Sequence, residues 1–423
     1  MPSAAPTSYH LRAIGLSLER FAKQQRWLWR YPHCRRVTDG WLARRRGTAD
    51  ASAKRCLLDF RKVSADGEQG RRFHALVNLL SRGGYELYLV PRWSFMQTGH
   101  RVFKARALEL IRPARDAGRD TVPDGFDLCL RDRRGVDRRA RRTIEVLTSP
   151  LQKLRPRDLA VPYSFYPDVW DRGEDQHFPE YRRRTRQWRL FFGGHCSKES
   201  YVRIGKYPWL NPLDRYRVVR ETRGYFSGTT FEIESQSQLT RASQARHDSF
   251  VMIDNARFRT DSSDWLGLLA NADFFLAAPG CDYPLSHNAI EAIAVGTIPV
   301  LEYDGLFAPP LRDGENCIAY RGADGLREAL SRIEAMPGRQ IRALREGVIA
   351  YYESHLSPDA FCRKLQAHGP RRMHLFSYLA PTAVAATDAD SAWDSAGSEH
   401  VRDVGPPGFD SDPLQPEAPR KAG

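Results

Sequence analysis

Residues 272–303 read ADFFLAAPGCDYPLSHNAIEAIAVGTIPVLEY, and the reading of this stretch decides the fold. The pattern predicts a strand over 273–277, a loop at Pro279-Gly280, a helix over 287–295 ended by Gly296, and a strand over 297–301. Strand, helix and strand with short connections make one turn of a doubly wound parallel sheet, in which ligands sit beyond the carboxyl ends of the strands. Pro279-Gly280 carries no bulky side chain and can come close to a ligand. Ser286, His287 and Asn288 open the helix, where the dipole and free N–H groups favour a phosphate. Glu291 lies one turn inside, near enough to accept hydrogen bonds from vicinal hydroxyls such as a ribose diol. The same carboxylate also reads as one that merely caps or pairs within the fold.

Working outward, residues 189–192 (RLFF) and 250–253 are strands, 262–270 a helix, 316–320 a last short strand, and 323–335 and 338–354 two helices. Gly193-Gly194-His195-Cys196-Ser197 reads as a turn, with Lys198 and Arg203 just beyond it as cations that face either a ligand or solvent. This turn matches neither the dinucleotide fingerprint nor the P-loop, so NAD or ATP chemistry is not indicated. In the first half, 55–60 is a strand, and a loop with Asp66, Gly67, Glu68 and Gly70 follows. Phe73, Leu76, Val77 and Leu80 mark a helix stopped by Gly83-Gly84, and 85–90 is the next strand. Weaker strands at 127–130 and 144–147 flank an arginine cluster from Arg131 to Arg142, either a solvated basic face or a site for a phosphorylated or lipid-linked molecule. Residues 161–170 (VPYSFYPDVW) suit an aromatic-lined connection between domains. The organisation expected is a basic lead over 1–54, a Rossmann-like domain over 55–180, a second over 181–369, and a mostly disordered acidic tail over 370–423.

In order and spacing, Pro279-Gly280, Ser286-His287, Glu291-Ala292, Gly296, Ile298-Pro299-Val300 and Phe307-Ala308-Pro309-Pro310-Leu311 resemble the donor-binding signature of GT-B glycosyltransferases, most of all the exostosin-type family. The resemblance begins at Arg186 and is faint before it. It implies an α/β fold of two Rossmann-like doubly wound parallel-sheet domains facing a cleft. The activity implied is sugar transfer from a nucleotide-diphosphate donor, a co-substrate rather than a cofactor, to a hydroxyl of a cell-surface glycan or glycolipid. By the same resemblance Glu291 binds the ribose, Ser286 and His287 lie at the diphosphate, and the turn at Gly193 and Gly194 faces the cleft with Lys198 and Arg203 as cations. The chain departs from the pattern at His287, where the family usually has arginine, so the local charge depends on pH and phosphate binding leans on other cations. Tyr283 stands where retaining enzymes often carry a second glutamate, which points to inversion. Inversion needs a general base from the first domain, and Asp66 and Glu68 are the candidates, with His74 a turn later. The Asp-x-Asp patterns, Asp388-Ala389-Asp390 and Asp410-Ser411-Asp412, fall in the tail, so transfer is expected to need no metal.

A chain of 423 residues exceeds what one hydrophobic core organises. Its charge of +14 favours phosphates, nucleic acid or anionic lipid. Residues 1–60 hold twelve Lys/Arg against four Asp/Glu, so the basic character starts early. Leu11, Ile14, Leu18 and Phe21 share a helical face, the pattern of a helix lying on an anionic membrane or packed on the domain. Seven cysteines without C-x-x-C spacing read as free thiols. No apolar run is long enough to span a membrane and none resembles a signal peptide, so a cytoplasmic protein, peripheral at most to the inner face of a membrane, is expected. The basic charge with Trp27, Trp29, Tyr31 and Trp41 leaves a nucleic-acid binder as the rival class, although no such module is present and no nucleic acid is expected. A GT-B fold without catalysis, serving as a scaffold, is the other rival.

Overall fold

Strands covered by helices on both faces must be nearly continuous apolar runs, and CLLDF, FDLCL, FVMI and IPVL are such runs. In the computed structural model, which describes residues 31–43, 52–67, 69–114, 125–148, 154–155, 157–201, 212–280, 283–367 and 369–375, they build two sheets in which all strand pairings are parallel. The first contains β1 (Lys54–Asp59), β2 (Tyr85–Leu89), β3 (Ile111–Pro113), β4 (Phe126–Arg131), β5 (Ala140–Leu147) and β6 (Leu159–Ala160). The second contains β7 (Trp188–Gly194), β8 (Phe231–Glu232), β9 (His247–Asp254), β10 (Ala272–Leu276), β11 (Ile298–Leu301) and β12 (Ile318–Ala319). A last strand, β13 (Arg372–His374), returns to the first sheet. The orders are β3-β2-β1-β4-β5-β13-β6 and β12-β11-β10-β7-β9-β8. The chain thus reverses its winding between β1 and β4, and again between β7 and β10. These are the switch points at which doubly wound sheets open a crevice.

The expected pair of doubly wound parallel sheets is what the chain forms. Both lie in one compact unit, and the segment 161–170 joins them as an aromatic seam. Phe165 packs on Trp170, Phe178 and Tyr352 with ring centroids 4.9, 5.3 and 6.2 Å apart. Trp41 is core rather than a surface platform for bases: it is buried, and its indole N–H donates to the Ile111 carbonyl at 3.0 Å.

Several elements depart from expectation. Gly193 and Gly194 end β7 instead of forming a turn. The helix expected over 262–270 is only Trp265–Leu269. Helices Arg215–Tyr225, Gln236–Gln244 and Pro358–Ala367 depart from the sequence reading, because polar and charged residues on their exposed faces mask a short apolar period. Residues 372–374, counted with the tail, form β13 between β5 and β6 and bury Met373. The preceding helix carries the chain back: the Cys362 thiol donates to Leu79 O at 3.6 Å, and Arg142 Nη2 donates to Leu365 O at 2.6 Å. The helical face at Leu11 to Phe21, Glu68, Arg203 and both Asp-x-Asp patterns lie outside the described residues. Among the described residues no helix is long and apolar enough to cross a membrane, and the five described cysteines with placed side chains are free thiols.

Candidate functional site

At the switch point of the second sheet, the segments leaving the paired strands β7 and β10 run side by side, and both are shaped by missing side chains. A Cβ on Gly193 would stand 2.6 Å from the Trp265 ring. One on Gly280 would stand 2.5 Å from the Tyr283 carbonyl oxygen, because the loop closes tightly enough for Gly280 N–H to donate to Pro284 O at 3.1 Å. The two segments are tied together by Arg215, the first residue of its helix, which is N-capped by Asp214. Arg215 Nε donates to Pro279 O at 2.8 Å and Nη1 to His195 O at 3.1 Å, and its guanidinium lies 4.2 Å from the Tyr201 ring centroid. It is buried, and among the described residues it has no carboxylate partner. Nothing in the sequence singles Arg215 out, since it is one of several arginines in a charged stretch.

The helix His287–Ala294 follows the β10 loop, with Ser286 as its N-cap residue. The Ser286 hydroxyl does not cap; it is buried beside the Tyr303 hydroxyl, and neither completes a hydrogen bond of normal geometry. The first-turn N–H groups therefore keep no side-chain acceptor from Ser286. Asn288 is partly buried in that turn. His287 packs on Tyr166, centroids 5.5 Å apart. Arg71, the first residue of helix Arg71–Arg82 in the first domain, lies over the same Tyr166 ring at 5.0 Å and over Phe103 at 5.1 Å. Its Nε is buried without a hydrogen-bond partner.

These placements correct the expected role of His287. Desolvation first, then the neighbouring charges of Arg71 and Arg215, push its imidazole down to about 3. It is neutral through the physiological range, and the positive charge at the helix start comes from two arginines, the first residues of helices Arg71–Arg82 and Arg215–Tyr225.

Glu291 takes the alternative that its sequence position left open. It is fully buried; Oε1 accepts the Tyr166 main-chain N–H at 2.7 Å and Oε2 accepts the Trp265 indole N–H at 2.6 Å. Burial raises its carboxyl to about 7, against the pull of those two hydrogen bonds and of Arg71. A ribose diol reaches this carboxylate only if one of the two donors moves away.

Asp66 does not stand free as a base. It is fully buried, with Lys104 Nζ at 3.4 Å and Arg101 Nη1 at 3.5 Å from Oδ2. Lys104 is equally buried and also donates to Thr98 Oγ1 at 2.9 Å and to the Phe95 carbonyl. A carboxylate enclosed with two cations is a structural ion pair, costly to break and poorly placed to take a proton from an incoming hydroxyl. His74 is buried too, with Nε2 2.9 Å from Asp171 Oδ1. Lys198 is exposed at the start of the short helix Lys198–Tyr201 and has no ion-pair partner among the described residues. Gly194 and Pro279 thus lie against Arg215, and Ser286, His287 and Asn288 open the helix, whereas the Glu291 carboxylate is held by Tyr166 and Trp265 and that of Asp66 by Lys104 and Arg101.

No family model matches the sequence, and no curated protein does either. Among solved structures, a glycosyltransferase from Rickettsia africae ESF-5 is similar at 9% identity over 75% of this chain and 98% of that one, TM-score 0.41. Anabaena Alr3699/HepE in complex with UDP is similar at 11% identity over 74% and 98%, TM-score 0.35. The N-terminal domain of Candida albicans trehalose-6-phosphate phosphatase is similar at 10% identity over 77% and 99%, TM-score 0.36. At these identities and scores the chemistry has to be argued from this chain's own residues. What its topology establishes is the fold: two doubly wound parallel sheets, of seven and six strands.

Proposed function

We propose that this chain is a glycosyltransferase that binds a nucleotide-diphosphate sugar at the switch point of its second sheet. The observation that carries the reading is Arg215: a buried guanidinium bonded only to the carbonyls of His195 and Pro279, with no counter-anion among the described residues. Taking a cation out of water without an anion is costly. A diphosphate at the start of helix His287–Ala294 would offset that cost and accept the first-turn N–H groups as well.

The chemistry follows from the same groups. As the bond between sugar and diphosphate breaks, negative charge accumulates on the leaving phosphate oxygens. Arg215, Arg71 and the amides that follow Ser286 are fixed in place before the reaction, so they stabilise that charge without reorganising. The neutral His287 adds a hydrogen-bonding edge without a third cation. The acceptor hydroxyl, of a glycan or a lipid-linked sugar, would approach from the side of the first sheet, and the protein would work peripherally at a membrane face. No resident cofactor enters this scheme.

The test is titration calorimetry of the purified chain with UDP-, GDP-, CMP- and dTDP-linked sugars, repeated with Arg215→Ala. Saturable binding of one class, weakened in the variant, is expected. Absence of saturable binding for every class overturns the reading.

A further inference from the structure

The first sheet has a switch point of its own, between β1 and β4, and its carboxyl edge gathers cations that the donor site does not use. Asp59 ends β1, is fully buried, and holds two of them: Arg92 Nε donates to Oδ1 at 2.8 Å, and Arg133 donates to Oδ2 and, at 3.3 Å, to the Asp59 carbonyl. Asp132, just after β4, accepts the main-chain N–H groups of Arg61, at 2.8 Å, and Lys62. That carboxylate therefore fixes the turn after β1 and leaves the side chains of Arg61 and Lys62 exposed, with no acidic partner among the described residues. Arg131 has none either, and its Nε is buried without an acceptor. Arg139 is paired with Asp137 at 3.0 Å. The hydroxyls of Ser64 and Thr148, 2.7 Å apart, join the segments after β1 and β5 along this same edge.

We propose that this edge is a phosphate-binding site, with Arg61, Lys62 and Arg131 as its ligands and with Arg92 and Arg133 anchored behind them by Asp59. The acids present are already engaged, one by two arginines, one by Arg139 and one by main-chain N–H groups, so Arg61, Lys62 and Arg131 feel them only at longer range and form no ion pair among the described residues. An acceptor recognised through hydroxyls alone needs no such surplus, whereas a phosphate takes several converging donors at once. Further along the chain, helix Arg71–Arg82 begins with Arg71, which lies over the Tyr166 ring that also packs on His287. The site's role in holding an acceptor rests on the transferase reading; its affinity for phosphate does not. The phosphate would come from a lipid headgroup or from a soluble sugar phosphate. Trp93, which follows Arg92, and Val136, three residues after Arg133, are 46% and 77% exposed, which gives a lipid headgroup an apolar margin.

The experiment uses the full chain and two probes: glycerol 3-phosphate by calorimetry, and sedimentation with phosphatidylcholine vesicles with or without phosphatidylglycerol. The variant is Arg61→Ser with Lys62→Ser, both exposed, and Arg131→Gln serves as a second variant checked by circular dichroism. One probe should bind with an affinity that falls as salt rises, and the double variant should weaken it about tenfold or more while UDP affinity is unchanged. Binding of glycerol 3-phosphate assigns a soluble phosphate, and binding only of the anionic vesicles assigns a headgroup. The inference is overturned if neither probe binds, if the double variant binds like the wild type, or if neutral vesicles bind equally well. A chain that binds a phosphate probe but no nucleotide would keep this inference and lose the transferase reading.

Discussion

The main-chain N–H of Tyr166, in the segment that joins the two sheets, donates to Oε1 of Glu291 in the second domain at 2.7 Å. With the Trp265 indole on the other oxygen, the carboxylate braces the connection, the helix His287–Ala294 and the helix Trp265–Leu269 against one another. Arg71 and His287 share the Tyr166 ring beside this brace, so it holds the aromatic residue that both of them touch.

Replacing Glu291 by Gln keeps the shape but can accept only one of the two N–H groups, leaving the other buried and unpaired. The expected loss is about 1–3 kcal/mol of stability, read by urea unfolding at pH 8. A variant as stable as the wild type, but with weakened nucleotide binding, would instead support direct contact with the ribose.

The same residue gives stability a pH dependence of definite sign. Its carboxyl lies at about 7 in the folded chain against an ordinary 4.5, so the native state holds the proton more tightly than the unfolded state. The resulting contribution is fully present below pH 4.5 and is lost as pH rises to about 7, worth at most about 3 kcal/mol. Unfolding curves at pH 5 and pH 7.5 should differ less for Glu291→Gln than for the wild type; equal differences would contradict this.

Arg215→Lys retains the charge but cannot reach both His195 O and Pro279 O with a planar fork. Donor affinity should fall roughly 10- to 100-fold, the worth of about one or two charge-assisted hydrogen bonds. Arg215→Ala should fall further. Unchanged affinity in both variants would remove Arg215 from the site.

His287 should not titrate in the range where histidines usually do. Its ring-proton resonance is expected to stay flat from pH 5 to pH 8, because desolvation and two guanidinium charges hold the imidazole neutral. A sigmoidal shift centred near 6.5 would show that Arg71 or Arg215 does not lie beside it in solution.

Gly280→Ala would put a methyl group 2.5 Å from the Tyr283 carbonyl oxygen, a main-chain atom that cannot swing aside. Relief requires the loop to open, which moves Pro279 O away from Arg215. A cost of about 1–3 kcal/mol, with weakened donor binding, is expected; normal stability and normal binding would mean that the loop is not closed in solution.

The second sheet is legible in the chain because its strands are buried on both faces, and LFF, FVMI, FFLA and IPVL announce themselves as apolar runs between short helices. The short strands β6, β8 and β13 are not legible, since two or three residues carry no period to detect. Helix Arg215–Tyr225 is hidden for a related reason: five of the eleven residues in RYRVVRETRGY are charged, and only Val218 and Val219 show an apolar face.

Among the candidate residues, the order strand, Pro279-Gly280, helix, strand was legible in the sequence, because an apolar run that ends in Pro-Gly before an amphipathic segment opened by Ser-His-Asn can be built in few ways. Composition and spacing did not determine what each charge does. Whether Glu291 faces a sugar or Tyr166 and Trp265, whether Asp66 is a base or the partner of Lys104, and whether the positive charge belongs to His287 or to Arg71 and Arg215 depended on contacts between residues far apart in the chain. Only the tertiary structure decided these, because a side chain's ionisation and hydrogen bonding are set by the groups that packing brings within a few ångströms and by the water that packing excludes.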